Sequence, residues 1–350
     1  MIKECIQKLV ERRDLSFDEA DNAMEEVMSG KASNAQIAAL LIALRMKGET
    51  TDEIAAFATA MRKFCRRIHP IVNGRLLDTC GTGGDRMNTF NISTIAAFVV
   101  AGAGVNIAKH GNRSITSACG SADVLERLGL NLNSDPQIVE KTIEDSGIGF
   151  IFAPSFHPAM RNVSAPRRET GVRTIFNILG PLTNPAGADT QILGVYDESL
   201  VEPLSLVLRK LGCKEAMIVH GLDGLDEITI TGRTVIAWLS EGNIALLNVS
   251  PESLGLKKAK IEEIQGGSVE YNTELSYKIL NNSIAGSKKD IVLVNAAAGV
   301  IVGGKASDFN EGLEIARKSI ESGAAYGKLR ELVKACGDIA TFEEVESRYG

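Results

Sequence analysis

The hydrophobic and polar positions of residues 1–70 follow the spacing of helices, with no run typical of a strand. Three segments match the S/T-x-x-E/Q capping box, in which two side chains bind main-chain N–H groups at the start of a helix. They begin at Ser16, Ser33 and Thr50, and Gly30 and Gly48 stand where the preceding helices should end. The N-terminal part is therefore predicted to be all-helical.

One of these predicted helices, Ala35–Met46, is apolar on nearly every side. Its large apolar side chains are Ile37, Leu40, Leu41, Ile42 and Leu44. A helix of this kind must be buried, either in a core or against another subunit. We therefore expect the N-terminal helices to pack partly against a second copy of the chain in a symmetric dimer. Pro70 and Gly74 then mark a linker.

From Arg75 onward the pattern changes to short β-branched runs that alternate with helical stretches, which is typical of a mostly parallel sheet flanked by helices. The predicted strands are Leu76–Thr79, Val105–Lys109, Gly149–Phe152, Ala216–His220, Thr234–Leu239 and Ile244–Asn248. The predicted helices include Ile95–Val100, a stretch near Arg173–Leu179, Glu274–Ala285, Asp290–Val302, Asp308–Ser322 and Ala325–Ala335. The fold class is therefore α/β, preceded by a small helical part.

Three features between residues 76 and 126 are suited to anions. The run 81–85 is a glycine-rich loop whose N–H groups can approach a ligand closely. Asn91 or Ser93 could cap the helix that follows, and helix N-termini favour phosphate oxygens. The next strand ends at the cations Lys109 and Arg113. A single glycine-rich turn is usually only a tight connection, but the three features together predict a substrate with more than one phosphate.

Asp226 and Glu227 follow the predicted strand that ends at His220. The carboxyl ends of strands in open α/β sheets are where ligands bind. Carboxylates suit Mg2+, which usually binds through one or two of them together with substrate phosphates. The alternative is a solvated acidic turn. His110 and His157 could act as general bases, but no Ser or Cys nucleophile pattern accompanies them, so a hydrogen-bonding or structural role is favoured.

Composition narrows the choice of partners. The 350-residue chain is 44% hydrophobic, which is ample for a core, and its net charge of −6 argues against a general nucleic-acid or membrane surface. Any basic site must be local, and a second arginine cluster lies at Arg161, Arg167, Arg168 and Arg173. The six cysteines form no C-x-x-C pair, and the N-terminus has no signal-peptide run. We therefore expect reduced thiols in a cytoplasmic protein.

Several long motifs resemble the anthranilate phosphoribosyltransferase family. They are GTGGD (81–85), NIST (91–94), KHGNRS (109–114), HPAM (157–160), GVRTIFNILGPLTNP (171–185) and DGLDEIT (223–229). The resemblance implies transfer of the phosphoribosyl group of phosphoribosyl pyrophosphate (PRPP) to the amine of anthranilate, in tryptophan biosynthesis. It also implies a helical domain (1–70, joined by parts of 155–185) hinged to an α/β domain (75–350), and a homodimer formed through the helical domains.

The resemblance further implies roles for individual residues. The PRPP-binding residues are Gly81, Gly84, Asp85, Thr89, Asn91, Ile92, Ser93, Thr94, Lys109, His110, Gly111, Asn112, Arg113, Ser114, Ile115, Thr116, Ser117 and Ser121. The anthranilate-binding residues are Gly81, Asn112 and Arg167. Ser93, Asp226 and Glu227 should bind Mg2+, with two ions expected per subunit. No residue is assigned as a chemical catalyst, because electrostatics and positioning suffice.

One departure from the family pattern concerns Arg167. Members commonly read P-V-R-x-E-L-G, whereas residues 165–171 here read APRRETG, so Arg168 is an alternative ligand for the anthranilate carboxylate. Two alternative functions also stand at this point. A pyrimidine nucleoside phosphorylase would share the fold but use free phosphate, and a non-catalytic paralogue would bind phosphorylated ligands or nucleic acid as a regulator.

Overall fold

The computed structural model describes residues 1–85, 87–114 and 119–350. Its N-terminal part consists of helices α1 (Ile2–Val10), α2 (Phe17–Met28), α3 (Asn34–Lys47) and α4 (Thr51–Lys63). All three predicted capping boxes are present, at Ser16 with Glu19, Ser33 with Gln36 and Thr50 with Glu53. Local sequence therefore fixes where three of these four helices begin.

A seven-stranded sheet forms the centre of the rest of the chain. Its strands are β1 (Leu76–Gly81), β2 (Asn106–Gly111), β3 (Ile148–Phe152), β4 (Thr190–Gly194), β5 (Glu215–Gly221), β6 (Thr234–Ser240) and β7 (Asn243–Val249). The spatial order is β3-β2-β1-β4-β5-β6-β7. The first five strands are parallel, and β6 and β7 are antiparallel. The predicted mostly parallel sheet is confirmed.

Helices pack against the sheet and against one another. They are α5 (Ile92–Gly102), α6 (Ser121–Arg127), α7 (Pro136–Ser146), α8 (Ala153–Phe156), α9 (Arg161–Thr170), α10 (Phe176–Leu179), α11 (Val201–Lys210), α12 (Val269–Leu280), α13 (Ser287–Val302), α14 (Phe309–Glu321), α15 (Ala324–Cys336) and α16 (Ile339–Tyr349). Helix α13 is buried from Ile291 to Val302 and packs against α5 and α14. No helix in the described ranges has the length and apolarity needed to cross a bilayer.

Some elements differ from the sequence predictions. Strand β4 was not predicted, because its first two residues are polar, yet the whole strand is buried between β1 and β5. The Thr190 hydroxyl donates to Leu76 O at 3.1 Å and the Gln191 amide to Pro181 O at 2.7 Å, so their burial is compensated. Helix α9 within the arginine-rich segment and helix α16 were also not predicted, and α12 begins earlier than expected.

The order of the strands creates a crevice above the carboxyl ends of β1 and β4. The chain moves from β1 to β2 and β3 on one side, then returns to β4 on the other side of β1. Such a switch point leaves a gap where ligands bind in open α/β sheets. The β1–β2 ladder also ends early, pairing only Leu76 with Asn106 and Leu77 with Ile107. Beyond that point the buried Asp78 side chain accepts a hydrogen bond from His110 N at 3.0 Å.

The N-terminal helices share an apolar core with the segment that follows His157. Helices α2 and α3 pack against α9, and α4 packs against α11. One face of α3 is buried through Ile37, Leu40, Leu41 and Leu44. The opposite face leaves Ala35, Ala39 and Met46 exposed, and Met46 has 69% of its surface accessible. The single chain therefore buries only part of the apolar helix identified in the sequence.

Candidate active site at the β1–β4 switch point

Three hydrogen bonds hold the main chain of the glycine loop after β1 at the crevice. Thr82 N donates to Gly194 O at 2.9 Å, and Gly83 N donates to Asp226 Oδ2 at 2.8 Å. On the outer side, Arg173 Nη2 donates to Gly84 O at 2.6 Å. Gly83 and Gly84 both have positive φ, +65° and +81°, which L side chains rarely adopt. The loop thus folds back on the acidic pair.

Asp226 is packed against two glycines at the ends of neighbouring strands. A Cβ atom on Gly81 would lie 2.5 Å from Asp226 Oδ2, and one on Gly194 would lie 1.6 Å from Asp226 O. Both distances are far below van der Waals contact. The absence of side chains at the ends of β1 and β4 therefore allows the acidic loop to enter the crevice.

The two carboxylates of that loop face the donors expected to bind phosphate. Ser93 N, in the first turn of α5, donates to Glu227 Oε1 at 3.2 Å. Burial raises the pKa of Asp226, and the nearby Asp85 carboxylate raises it further. Burial and the charge of Asp226 likewise raise the pKa of Glu227, while Lys109 opposes this. The crowding of Asp85, Asp226 and Glu227 would be relieved by a cation.

The residues present fit a Mg2+ ion that protein and substrate coordinate together, rather than one coordinated by protein side chains alone. Among the described residues, no group of three or more His, Cys, Asp or Glu side chains is arranged as a metal site. The two carboxylates are hard oxygen ligands, and the Ser93 hydroxyl, on the residue whose N–H contacts Glu227, is a third oxygen available nearby. Mg2+ usually completes its coordination with water and substrate phosphates, so an incomplete protein ligand set is what this metal requires.

Lys109 lies beneath the same donors. Its side chain is buried, and Nζ donates to Thr79 O at 2.5 Å and lies 3.5 Å from Ser93 Oγ. Burial lowers the pKa of this lysine, although Asp78 opposes that effect. Lys109 therefore brings positive charge to the floor of the crevice between the glycine loop and the start of α5.

The start of α5 is supported by a buried asparagine on another helix, through the side chain of Asn91. Asn91 is the N-cap residue of α5, as predicted, but its side chain makes no capping hydrogen bond, and Ser93 lies within the helix. Asn91 Nδ2 instead donates to Cys119 O at 3.2 Å, and its Oδ1 accepts from Asn272 Nδ2 at 3.3 Å. Asn272 lies on α12 and is 1% exposed. Sequence reasoning missed it because it lies far along the chain.

Other residues predicted to bind PRPP differ in their burial and in the hydrogen bonds that their main chain already makes. Thr89 is half-buried and bridges to Gln265, while Gly111 at the end of β2 lies close to Ser121. The Ile92 and Thr94 side chains are buried, and their N–H groups donate to Phe90 O and Asn91 O. These last two residues support the shape of the site rather than presenting a free donor in this state.

The segment after β2 is held by ion pairs. Arg113 contacts Asp123 at 2.9 Å and Glu126 at 2.7 Å, so its charge is already paired. The Ser121 hydroxyl donates to Asn112 O at 3.2 Å, and Ser114 N donates to Asp123 Oδ2 at 3.3 Å. The predicted ligands Ile115, Thr116 and Ser117 lie outside the described residues.

Two histidine rings lie side by side near the carboxyl end of β2. The rings of His110 and His157 have centroids 5.0 Å apart, and both residues are buried. Burial lowers the pKa of His110 to about 3 and that of His157 to about 4, so both are neutral at pH 7. Within the described ranges, neither Nε2 atom has a hydrogen-bond partner, and the same is true of Thr174 Oγ1. The sequence did not indicate this pairing of the two rings.

Arg167 lies on helix α9, which follows His157 in the chain. Its guanidinium carbon lies 5.3 Å from the centroid of the Phe176 ring, and burial lowers its pKa. No carboxylate of the described residues pairs with it. Arg168 is exposed to solvent. The desolvated, unpaired Arg167 is therefore better placed than Arg168 to receive an anion.

Comparison with known families covers both parts of the chain. Residues 73–326 match the family described as "Glycosyl transferase family, a/b domain". Residues 3–65 match the one described as "Glycosyl transferase family, helical bundle domain". The helical bundle and the α/β part thus each correspond to a known unit of the same family.

Individual relatives narrow this family further. An anthranilate phosphoribosyltransferase of Pelotomaculum thermopropionicum is 50% identical, covering 98% of this chain and 99% of the relative. The crystal structure of that enzyme from Thermus thermophilus is 41% identical with a TM-score of 0.90, covering 95% and 99% of the two chains. The Saccharomyces cerevisiae enzyme in complex with PRPP and Mg is 27% identical with a TM-score of 0.87, covering 96% and 97%. The chain belongs to the anthranilate phosphoribosyltransferase family.

Proposed function

We propose that this protein transfers the 5-phosphoribosyl group of PRPP to the amine of anthranilate, giving N-(5-phosphoribosyl)anthranilate and pyrophosphate in tryptophan biosynthesis. The observation that carries the proposal is the convergence at Asp226 and Glu227. Through hydrogen bonds to Gly83 N and Ser93 N, these carboxylates bring the glycine loop and the start of α5 to one point. Both segments carry donors suited to phosphate, and the carboxylates suit its metal.

In this proposal the glycine loop, the start of α5 and Lys109 bind the diphosphate, and Asp226, Glu227 and Ser93 hold Mg2+. Bound Mg2+ would neutralise negative charge as pyrophosphate leaves. We expect two ions per subunit. Lys109 adds a fixed positive charge beside the leaving group, where it does most to stabilise the transition state.

The acceptor side needs orientation more than proton transfer. The amine of anthranilate is neutral at pH 7, so no strong base is required to make it a nucleophile. Arg167 would hold the anthranilate carboxylate, with Gly81 and Asn112 on the adjoining loops. The neutral imidazoles of His110 and His157 each have an Nε2 atom with no hydrogen-bond partner among the described residues, available to a polar group of the acceptor. Holding the amine beside ribose C1 would supply much of the remaining rate enhancement.

The direct test follows the loss of anthranilate fluorescence in the presence of PRPP and Mg2+. We expect consumption only when both are present, with one pyrophosphate released per anthranilate. Thymidine with inorganic phosphate is the control for the phosphorylase alternative. Absence of anthranilate consumption, or phosphorolysis of thymidine instead, would overturn the proposal.

We also propose a homodimer formed through the N-terminal helices, in a cytoplasmic protein. The exposed Ala35, Ala39 and Met46 lie along one face of α3, at spacings that align them on a helix. No disulfide is present among the described residues, and the cytosol is a compartment in which thiols are kept reduced. Light scattering should give a dimer at micromolar concentration, and Met46→Glu should shift it toward monomer. A wild-type protein that remains monomeric would contradict this assignment.

The division into domains is proposed on the same packing. A helical domain of residues 1–70, joined by parts of 155–185, would hinge against an α/β domain of residues 75–350. Helix α9 packs against α2 and α3, which supports grouping part of 155–185 with the N-terminal helices. Arg167 would then belong to the helical side and Lys109 to the α/β side of one cleft.

A further inference from the structure

Asn295 is a buried amide in the middle of an otherwise apolar helix. It lies on α13, is 4% exposed, and is flanked along the chain by Val294 and Ala296. Burying an amide is costly unless its donors and acceptor are satisfied. A leucine has the same branched shape without that cost, so the hydrogen bonds of Asn295 should reveal why an amide is used there.

Two of these bonds go to the main chain of one residue outside α13. Asn295 Oδ1 accepts from Ile228 N at 2.9 Å, and Nδ2 donates to Ile228 O at 2.9 Å. The second Nδ2 bond is to Ile291 O, also at 2.9 Å, within the helix itself. Asn295 therefore holds both polar main-chain groups of Ile228, the residue immediately after Glu227.

The other end of the acidic loop has its own anchor. Asp223 accepts hydrogen bonds from the hydroxyls of Thr229 and Thr231, and from Leu225 N at 3.2 Å. Asp226 and Glu227 lie between this anchor and the one at Ile228. Two carboxylates that repel each other at close range need such constraints, because without them the loop would relax by moving apart.

We infer that Asn295 is a positioning residue that fixes the main chain behind Glu227, so that Asp226 and Glu227 present their oxygens together to Mg2+. The inference rests on the proposed metal role of these two carboxylates. Asn295 does not contact the crevice itself. It acts through Ile228, as residues outside the ligand shell of a metal commonly orient the ligands.

The test measures metal dependence by binding as well as by rate, in Asn295→Leu and Asn295→Ala. The full-length protein is titrated with PRPP in a calorimeter at a series of Mg2+ concentrations. The result is the Mg2+ concentration at which half of the Mg2+-dependent increase in PRPP affinity is reached. We expect this concentration to rise about 10- to 100-fold in both variants, the range typical when support of a metal ligand is removed. The Mg2+ concentration for half-maximal turnover should rise in parallel, and KM for anthranilate should stay within about twofold.

Ser319→Ala is the matched control. Ser319 is buried on α14 and donates to Val99 O at 2.7 Å, away from the acidic loop. It should lower the melting temperature without changing the Mg2+ requirement. If either folded Asn295 variant keeps the wild-type Mg2+ requirement, Asn295 has only a structural role and the inference is wrong.

A further control separates this outcome from failure of the proposed function. Asp226→Asn with Glu227→Gln should abolish the Mg2+ dependence of PRPP binding. If that double variant behaves like wild type, the metal site itself is misassigned and the Asn295 inference falls with it. If only the Asn295 variants behave like wild type, the metal site stands and the inference alone is overturned.

Discussion

The two groups of residues proposed to bind the two substrates differ in how their polar atoms are satisfied. On the phosphate side, defined here as Gly83, Ser93, Lys109, Asp226 and Glu227, donors and acceptors already bind one another or nearby main chain. On the acceptor side, defined as His110, His157, Arg167 and Thr174, the two Nε2 atoms and the Thr174 hydroxyl have no hydrogen-bond partner among the described residues. The Arg167 guanidinium contacts the Phe176 ring but pairs with no carboxylate of those residues.

This difference suggests how the two substrates meet the protein. In the proposed binding mode, PRPP with Mg2+ would replace internal hydrogen bonds, so part of its binding free energy would be offset by the bonds that are lost. The same exchange would couple metal binding to phosphate binding. A cation that draws the carboxylates of Asp226 and Glu227 away would free the N–H groups of Gly83 and Ser93 for phosphate oxygens. Anthranilate would meet groups that are already desolvated and that lack a hydrogen-bond partner among the described residues, so fewer internal bonds would be lost when it binds.

The largest effect is expected from removing the charges of the phosphate side. Asp226→Asn with Glu227→Gln should lower kcat at least about 100-fold, because charge on the leaving pyrophosphate would lose its counter-cation in the transition state. Steady-state kinetics at saturating Mg2+ checks this. Glu343→Gln with Glu344→Gln removes an adjacent exposed acidic pair on α16 and should leave kcat unchanged. Near-normal turnover of the first variant would mean that Asp226 and Glu227 form only a solvated turn.

The next largest effect is expected on the acceptor side. Removing one partner of a buried charge pair costs about 2–5 kcal/mol, so Arg167→Ala should raise KM for anthranilate at least about tenfold. KM for PRPP should change less than about twofold. Arg168→Ala, an exposed arginine on the same helix, is the control. A parallel rise of both KM values would place Arg167 in the phosphate site or the hinge instead, and an effect confined to Arg168→Ala would exchange the two assignments.

The histidine pair should make folding stability depend on pH. His157 has a pKa of about 4 in the folded protein because of burial, whereas an unfolded histidine titrates near about 6.5. The contribution of the neutral His157 side chain to the free energy of unfolding is therefore fully present above pH 6.5 and is lost as the pH falls toward 4. Between pH 8 and pH 5 this loss is about 2 kcal/mol for His157 alone.

Urea unfolding at pH 8 and pH 5 measures that loss. The wild-type free energy of unfolding should fall by about 2 kcal/mol more than that of His157→Gln over this range. His69→Gln replaces an exposed histidine and should behave like wild type. Equal losses in wild type and His157→Gln would mean that the imidazole is more accessible to protons than its burial indicates.

The smallest effect should come from the ion pairs of Arg113. Because exposed pairs contribute about 0–1 kcal/mol, Glu126→Gln should lower KM for PRPP by no more than about threefold, through easier release of Arg113 toward phosphate. Glu331→Gln removes a similar exposed pair with Lys328 and serves as the control. A rise in KM for PRPP would show instead that the Glu126 pair orders the segment that PRPP contacts.

Features encoded by neighbouring residues could be predicted from the sequence. The capping boxes at Ser16, Ser33 and Thr50 depend on residues three positions apart, and each is present. Most strands were also identified, because their β-branched runs are continuous. Strand β4 was not, because Thr190 and Gln191 are polar residues whose burial is compensated by main-chain groups elsewhere. Periodicity cannot reveal such compensation.

The candidate site divides in the same way. The glycine loop and the Asp226–Glu227 pair could be found because each is a compact motif. The supporting residues Asn272 and Asn295 could not, because the segments that they contact are far away in the sequence. The meeting of His110 with His157 likewise depends on how the chain crosses from β3 into α8 and α9. Nothing local in the sequence encodes that contact.

Gly194 illustrates how function constrains a position that would bind no ligand itself. A Cβ atom there would lie 1.6 Å from Asp226 O, so even alanine must displace the acidic loop from the end of β4. The loop is near the surface of the crevice, and its displacement need not unfold the sheet. In a mutational scan selected for growth without tryptophan, Gly194 should therefore reject every substitution, while a parallel screen for soluble expression should accept several. Comparing the two screens would identify residues whose contribution to catalysis is the space they leave empty.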